Sequence, residues 1–330
     1  MSEHQGVLVL AEAQEAQVAP VTTELLGLGR RLAHELSSAL SALLIGSGVG
    51  GISQDVIALG ADTVYVADRP ELGTFNSDAY TAVATKVCRE AAPSVVLMGH
   101  TSIGRDIAPR VAARLGASLS TDCVDLRVDQ DTGRLLQTRP VHGGNALATI
   151  ASRVHPQMAT MRPRSAAPAE PDPSRNGRII PVDTGVLDIQ ARVVETVREE
   201  AEGLKLEEAR VVVSGGAGID GAQGFDLIRQ LASVLGGAVG ATRLPCEQGW
   251  VSPSFQIGQT GKIVTPDLYI AVAVSGAPQH MAGCMGSGYI VAINNDPEAH
   301  IFKLADFGIV ADYREALPAL IRKCQELVSS

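Results

Sequence analysis

The chain has 330 residues, long for one domain and ample for two, and its 45% apolar and 19% charged residues can build sizeable cores. A formal net charge of −9 argues against a general nucleic-acid or anionic-membrane partner, and an aromatic content of 3% argues against base-stacking platforms. No apolar run approaches the ~20 residues of a membrane span. The start, MSEHQGVLVLAE, resembles neither a signal sequence nor an arginine-rich transit peptide, so a soluble, cytoplasmic protein is expected.

The N-terminal half alternates strand and helix patterns. Strands are predicted at Val7–Ala11, Ala39–Gly46, Thr63–Asp68 and Ser94–His100, with helices at Thr23–Ser38, Ser77–Ala92 and Ile103–Ser118. Such alternation implies βαβ units and a mostly parallel sheet. Two antiparallel strands are expected next, in DCVDLRV and RLLQTRPVHGGNALATI. The Pro- and charge-rich segment Arg162–Arg178 reads as a solvated surface loop.

The second half repeats the pattern. RVVVSGG, AVGATR, DLYIAVAVSG, YIVAINN and FGIVAD are strands, and GAQGFDLIRQLASVLGG and YREALPALIRKCQELV are helices. Short all-apolar strands separated by helices indicate a doubly wound α/β sheet. The expected fold is therefore two α/β domains, 1–205 and 206–330, the second Rossmann-like. Cys88, Cys123, Cys246, Cys284 and Cys324 are scattered without a C-x-x-C pair and read as reduced thiols.

Gly216-x-Gly218-x-x-Gly221 follows a strand and precedes a helix, the place of a dinucleotide fingerprint. That fingerprint wants an acid at the end of the next strand, and Thr242-Arg243 stands there instead. A phosphate loop of another kind, or plain turn chemistry, fits better. The segments Ile257-Gly258-Gln259-Thr260-Gly261 and Ser275-Gly276-Ala277-Pro278-Gln279-His280 bracket one buried strand. Strand ends of an open α/β sheet share a crevice, and these segments bring to it a cation, hydroxyls, an imidazole and amide donors. Ser275 is expected to cap the following helix. The set suits a large polar cofactor. No spacing suggests a metal, and no nucleophile pattern or other catalytic residue stands out.

SGGAG, VGATR, QIGQTGKIVTPDLYIAVAVSGAPQH and AINNDPEAHIFKLADFGIVAD closely resemble the flavin domain of the alpha subunit of electron-transfer flavoproteins. IGRDIAPRVAARLGASLSTDC and TRPVHGGNALATI…PQMATMRP carry the resemblance through the N-terminal half. The resemblance implies one FAD across the C-terminal domain. Arg243 would stand over the isoalloxazine ring, the Thr260 hydroxyl would meet N5, and His280 would donate toward the pyrimidine edge. Ile257, Gly258, Gln259, Ser275, Gly276, Ala277, Pro278 and Gln279 would face the pyrophosphate, with Gly216 and Thr242 at the strand ends beside them. Asn294, Asp312 and Tyr313 would surround the adenosine. Cationic and N–H donors suit a flavin, which becomes an anion when it gains one electron.

The same resemblance implies a heterodimer with a beta subunit that carries AMP or a second FAD. It also implies an electron-donating partner such as an acyl-CoA dehydrogenase, and a mobile connection near residues 200–206. Whether the pair bifurcates electrons between NADH and a low-potential acceptor stays open. Three positions depart from the family pattern. Ala217 stands where many relatives have arginine, Asn295 where lysine is common with only a surface effect expected, and His142 where a bulky apolar residue is usual. Two competing readings are an NADP-dependent oxidoreductase acting alone, with Arg243 on a 2′-phosphate, and a non-redox nucleotide-binding protein.

Overall fold

A computed structural model describes residues 4–14, 16–144, 146–187, 189, 191, 193–195 and 204–328. The chain divides into two units, Met1–Val141 with Ala146–Thr196, and His142–Asn145 with Val197–Ser330. Most of the expected connection near 200–206 lies outside the described residues.

The first unit opens with β1 (Val7–Ala11), a short ribbon of β2 (Ala13–Gln14) and β3 (Gln17–Val18), and α1 (Pro20–Glu35). There follow β4 (Leu40–Gly46), α2 (Ser53–Ala58), β5 (Thr63–Asp68), α3 (Ser77–Ala91), β6 (Val95–Gly99), α4 (Ser102–Leu115) and β7 (Leu119–Cys123). An antiparallel sheet of β8 (Asp125–Val128), β9 (Leu135–Val141) and β10 (Ala146–Ala151) comes next, and β11 (Gln157–Met161) and β12 (Arg178–Pro181) return to the main sheet. That sheet runs β12-β5-β4-β1-β6-β11-β7 with every neighbour parallel.

Local chemistry sets these boundaries. Pro20 opens α1, where a missing N–H costs nothing, and Leu25, Leu28 and Leu32 give the helix its buried stripe. Asn76 caps α3 by accepting from the N–H groups of Asp78 and Ala79 at 3.0 and 3.1 Å. Thr101 caps α4 through Gly104, and Gly116 ends that helix in the left-handed region at φ 65°. β1 and β6 are buried along their whole length, as central strands covered on both faces must be.

Two expectations need correction. RLLQTRPVHGGNALATI is not one strand: it folds back at His142–Gly144, where His142 takes φ 51°, and becomes β9 and β10. Nor is 162–178 a free surface loop. Arg162 is buried in a bidentate pair with Asp122, Ala169 N–H bonds Thr23 O, and Arg175 pairs with Asp62. Ala166 and Ala169 pack on the core, so the chain is pinned along the sheet before it forms β12.

The second unit contains β13 (Val211–Gly215), α5 (Phe225–Val234), β14 (Ala238–Ala241), α6 (Arg243–Glu247) and β15 (Leu268–Val272). It ends with α7 (Pro278–Met281), β16 (Tyr289–Asn294), β17 (Phe307–Val310) and α8 (Tyr313–Val328). Its sheet, β14-β13-β15-β16-β17, is parallel throughout. In order of appearance this is 2-1-3-4-5, the flavodoxin-like variant of the doubly wound fold, with its switch point between β13 and β15. Phe225 of α5 lies fully buried against Gly215, where a Cβ would stand 2.7 Å from the ring. Truncating Phe225 to alanine would cost about 3–5 kcal/mol. Among the described residues no helix is long and apolar enough to cross a membrane, and all five cysteines are free.

Glu12 follows β1 at the switch point of the first sheet. It accepts a hydrogen bond from Thr101 Oγ1 at 2.7 Å, and burial pushes its carboxyl up to about 7. The unfolded chain releases this proton near the ordinary 4.5. Between those values the folded state binds more protons, so this group's contribution to stability is lost as pH rises through 7. Glu12→Gln, which mimics the protonated form, is predicted to match wild type at pH 4.5. At pH 8 it should exceed wild type by on the order of 2 kcal/mol. Urea unfolding of both proteins at the two pH values checks this; equal stability at pH 8 would contradict the burial of a charged carboxylate.

Candidate functional site

The carboxyl ends of β13, β14, β15 and β16 and the segment 256–260 enclose a cleft of about 930 Å³, at the upper end of the range for small-molecule sites. Its shape follows from close backbone approaches. After β13, Gly216 donates to Val272 O at 2.9 Å, and a Cβ there would lie 2.2 Å from Ala273 O. After β15, Ala273 turns into the left-handed region at φ 52°, which ends the strand one residue past Val272. Gly276 has φ 85°, and a Cβ on it would lie 2.4 Å from the Ile301 nitrogen. Gly258 has φ 139°, and a Cβ on it would lie 2.8 Å from Gln279 O. Only glycine fits these three places.

Among the described residues, the N–H groups of Thr260, Ser275, Gly276 and Ala277 make no hydrogen bond. Three consecutive free amides in a turn form a concavity suited to an anion. Ser275 does not cap α7 as expected: the cap position is Ala277, and no side chain serves it. Ser275 remains in the cleft wall.

Most of the expected site residues converge here. Thr242, Arg243, Ile257, Gly258, Gln259, Thr260, Ser275, Ala277, Gln279, His280 and Asn294 line the cleft. Gly216, Gly276 and Pro278 do not line it: the two glycines sit in the tight turns after β13 and β15, and Pro278 is the first residue of α7. Asp312 and Tyr313 line a smaller hollow that shares Gly218, Ala273 and Asn294 with the cleft. Two of these side chains are committed to scaffolding. Asn294 donates to Val274 O at 3.0 Å and accepts from Asp296 N–H at 3.0 Å, tying two loops together. The buried Tyr313 hydroxyl donates to Ile219 O at 2.8 Å.

Arg243 does not end a strand but begins α6. Its side chain is 68% exposed and its Nε donates to Glu247 Oε1 at 2.6 Å, one turn on. Gln256 Nε2 donates to Thr260 Oγ1 at 2.9 Å, which leaves the Thr260 proton free to be given elsewhere. His280 lies in the cleft wall as expected, largely buried. Both its ring nitrogens are engaged within the protein, Nδ1 with Ile257 O at 3.0 Å and Nε2 with Tyr269 Oη at 2.8 Å. Burial pushes its pKa down to about 4, so at neutral pH the ring is uncharged.

Sequence reasoning missed other polar parts of the wall, Gln256, Asp296, Glu298 and His300, with Asn295 exposed inside the cleft rather than merely on the surface. Residues 295–300 follow the C-terminal end of β16, so the same strand-end rule could have found them. In the first unit the corresponding loops satisfy themselves. Asp68 accepts from the N–H groups of Gly48 and Gly50 at 2.7 and 2.8 Å, and Glu12 from Thr101.

Residues 7–185 match the model of the electron transfer flavoprotein domain, and residues 205–285 match that of the electron transfer flavoprotein FAD-binding domain. The chain is 44% identical to electron transfer flavoprotein subunit alpha of Thermoanaerobacterium thermosaccharolyticum, over 99% of this chain and 100% of that one. It is 41% identical to the Bacillus subtilis protein of the same name, over 97% and 98%. It is 43% identical to Protein FixB of Clostridium saccharobutylicum, over 100% and 99%. The chain belongs to the electron transfer flavoprotein alpha-subunit family. Its C-terminal domain binds FAD, and its activity is electron transfer.

The residues present fit that cofactor. The cleft is large, the Ser275–Ala277 amides suit a pyrophosphate, and the glycines leave backbone where a Cβ would intrude. In this flavoprotein chain Gly276→Ala should destabilise the C-terminal unit by roughly 1–3 kcal/mol, because it adds left-handed strain to a steric clash. It should also release FAD during gel filtration. Unchanged unfolding and full flavin retention would show that the turn relaxes freely.

Proposed function

We propose that this flavoprotein chain is the alpha half of a cytoplasmic heterodimer. Its beta partner carries AMP or a second FAD, and the pair passes electrons from a dehydrogenase, such as an acyl-CoA dehydrogenase, to an acceptor. Residues 1–205 pack against the beta subunit, and residues 206–330 hold the FAD. The observation that carries the division is the contrast between the units. The strand-end amides of the first unit are filled by Asp68 and its switch point by Glu12, whereas Ser275–Ala277 in the second are open.

FAD supplies one- and two-electron chemistry when bound, and the chain's residues bind and tune it. Ser275, Gly276 and Ala277 present amide donors to the pyrophosphate, with Gly258 and Gln259 across the cleft. Asn294 and Tyr313 hold the loops at the adenosine end. The Thr260 hydroxyl, freed by Gln256, donates toward the ring, and Arg243 supplies the cation. With His280 neutral and Ala217 in the wall, Arg243 is the chief positive charge available to offset electron gain.

Replacing Arg243 by alanine removes a charge that favours the reduced flavin. Because the guanidinium is exposed and shared with Glu247, the lower end of the range for charge-assisted bonds applies. The one-electron potential should fall by roughly 60 mV, and Arg243→Lys should restore part of the loss. Spectroscopic redox titration of the purified pair reads this directly, and an unchanged potential in Arg243→Ala would remove the arginine from the flavin environment. The flavin count of the same preparation addresses bifurcation: one FAD per alpha–beta pair indicates simple carriage, two the bifurcating type.

A further inference from the structure

The loop after β16 brings to the cleft wall an imidazole for which the proposed electron transfer has no use. His300 opens the single helical turn His300–Lys303, lines the cleft and is exposed. Its backbone is packed on the turn that carries the free amides. Ile301 N–H donates to Ser275 O at 3.0 Å, and a Cβ on Gly276 would stand 3.0 Å from the His300 carbonyl carbon. The ring is held to the same turn, with Nδ1 3.2 Å from Gly276 O. A carbonyl only accepts, so Nδ1 carries a hydrogen. Among the described residues Nε2 has no partner. It is a bare acceptor when the ring is neutral and a second donor when the ring is charged.

We propose that His300 is a proton-linked anion contact: when a pyrophosphate sits on the Ser275–Ala277 amides, Nε2 takes a proton from solvent and donates it to a phosphate oxygen. The inference rests on reading that turn as the pyrophosphate site. The balance is simple, since chain, anion and one proton give a complex that holds an imidazolium. Neighbouring charges permit it. Asp296 and Glu298, on the loop before His300, line the cleft and favour a charged ring, whereas Arg243 of α6 opposes it. Lys303 closes the same helical turn, and the 275–277 turn brings no charged side chain. His280, on α7, is held uncharged down to about 4 by burial and adds no titration of its own near neutrality.

Because the second donor exists only in the charged ring, a bound pyrophosphate raises the ring's affinity for a proton. The extra binding is present in full below the free ring's value, for an imidazole ordinarily about 6.5, and is lost as pH rises through the bound value. A charge-assisted bond to an exposed ring lies at the weak end of its class. FAD should therefore bind about three- to tenfold tighter at pH 5.5 than at pH 8.

Fluorescence titration of the flavin-stripped full chain with FAD at those two pH values tests this, together with calorimetry at pH 7 in buffers of different ionisation enthalpy. The expected wild type shows the tightening at low pH and takes up a fraction of a proton on binding. His300→Gln and His300→Asn, neutral at every pH and placed at an exposed position, should show neither. A wild-type affinity that is flat with pH, or a slope that survives in both variants, overturns the proposal. Gly276→Ala then assigns the fault. If it releases FAD while the wild type shows no slope, the pyrophosphate site stands and the His300 contact alone fails. If it retains FAD as well, the turn does not hold the pyrophosphate and both readings fail.

Discussion

The backbone leaving β13 passes the backbone leaving β15 closely enough that no side chain fits between them. Gly216 donates to Val272 O, and its Cα lies where a Cβ would strike Ala273 O. Ala273 turns left-handed, and the amides of Ser275, Gly276 and Ala277 that follow have no partner among the described residues. A parallel sheet whose second strand lies on the far side of the first opens a crevice at that point in any case. Here the close approach turns the crevice into a cradle for an extended anionic cofactor.

Polar groups around the cradle divide into two kinds. Some are spent on the scaffold: Asn294 bridges two loops, and Tyr313 holds the turn after β13. Others keep unspent hydrogen-bonding capacity toward the cleft, including the free amides, the Thr260 hydroxyl and the terminal nitrogens of Arg243. A bound cofactor can be recognised only by the second kind, since a committed donor gives up one bond to make another. On the proposed function, redox tuning falls on few atoms, with the Arg243 guanidinium the chief cation among them.

Strands were legible in the sequence because parallel strands buried on both faces must be short and apolar throughout, as β13, β15 and β16 are. The cleft was legible for the related reason that glycines and hydroxyls cluster at strand ends. Hidden features depend on partners distant in sequence or on backbone angles that alanine does not advertise. Nothing in the residue type marks Ala273 as left-handed. Proline and charge conceal that 162–178 is pinned by Arg162, Ala169 and Arg175. Residue type does not show that His280 bonds Tyr269, eleven positions earlier on the adjacent strand. Asp296, Glu298 and His300 line the cleft because the chain folds back over the end of β16, which residue type alone does not show.

Whether the open amides after β15 hold the pyrophosphate is the central claim, and amide hydrogen exchange of the full chain with and without FAD tests it most directly. Unpaired N–H groups exchange rapidly in the flavin-free protein and slow only when an acceptor arrives. The predicted result is strong protection on FAD binding at Thr260 and at Ser275 to Ala277, with little change at Gly48 and Gly50, which already bond Asp68. Protection centred on the first unit, with residues 275–277 still exchanging freely, would contradict the account.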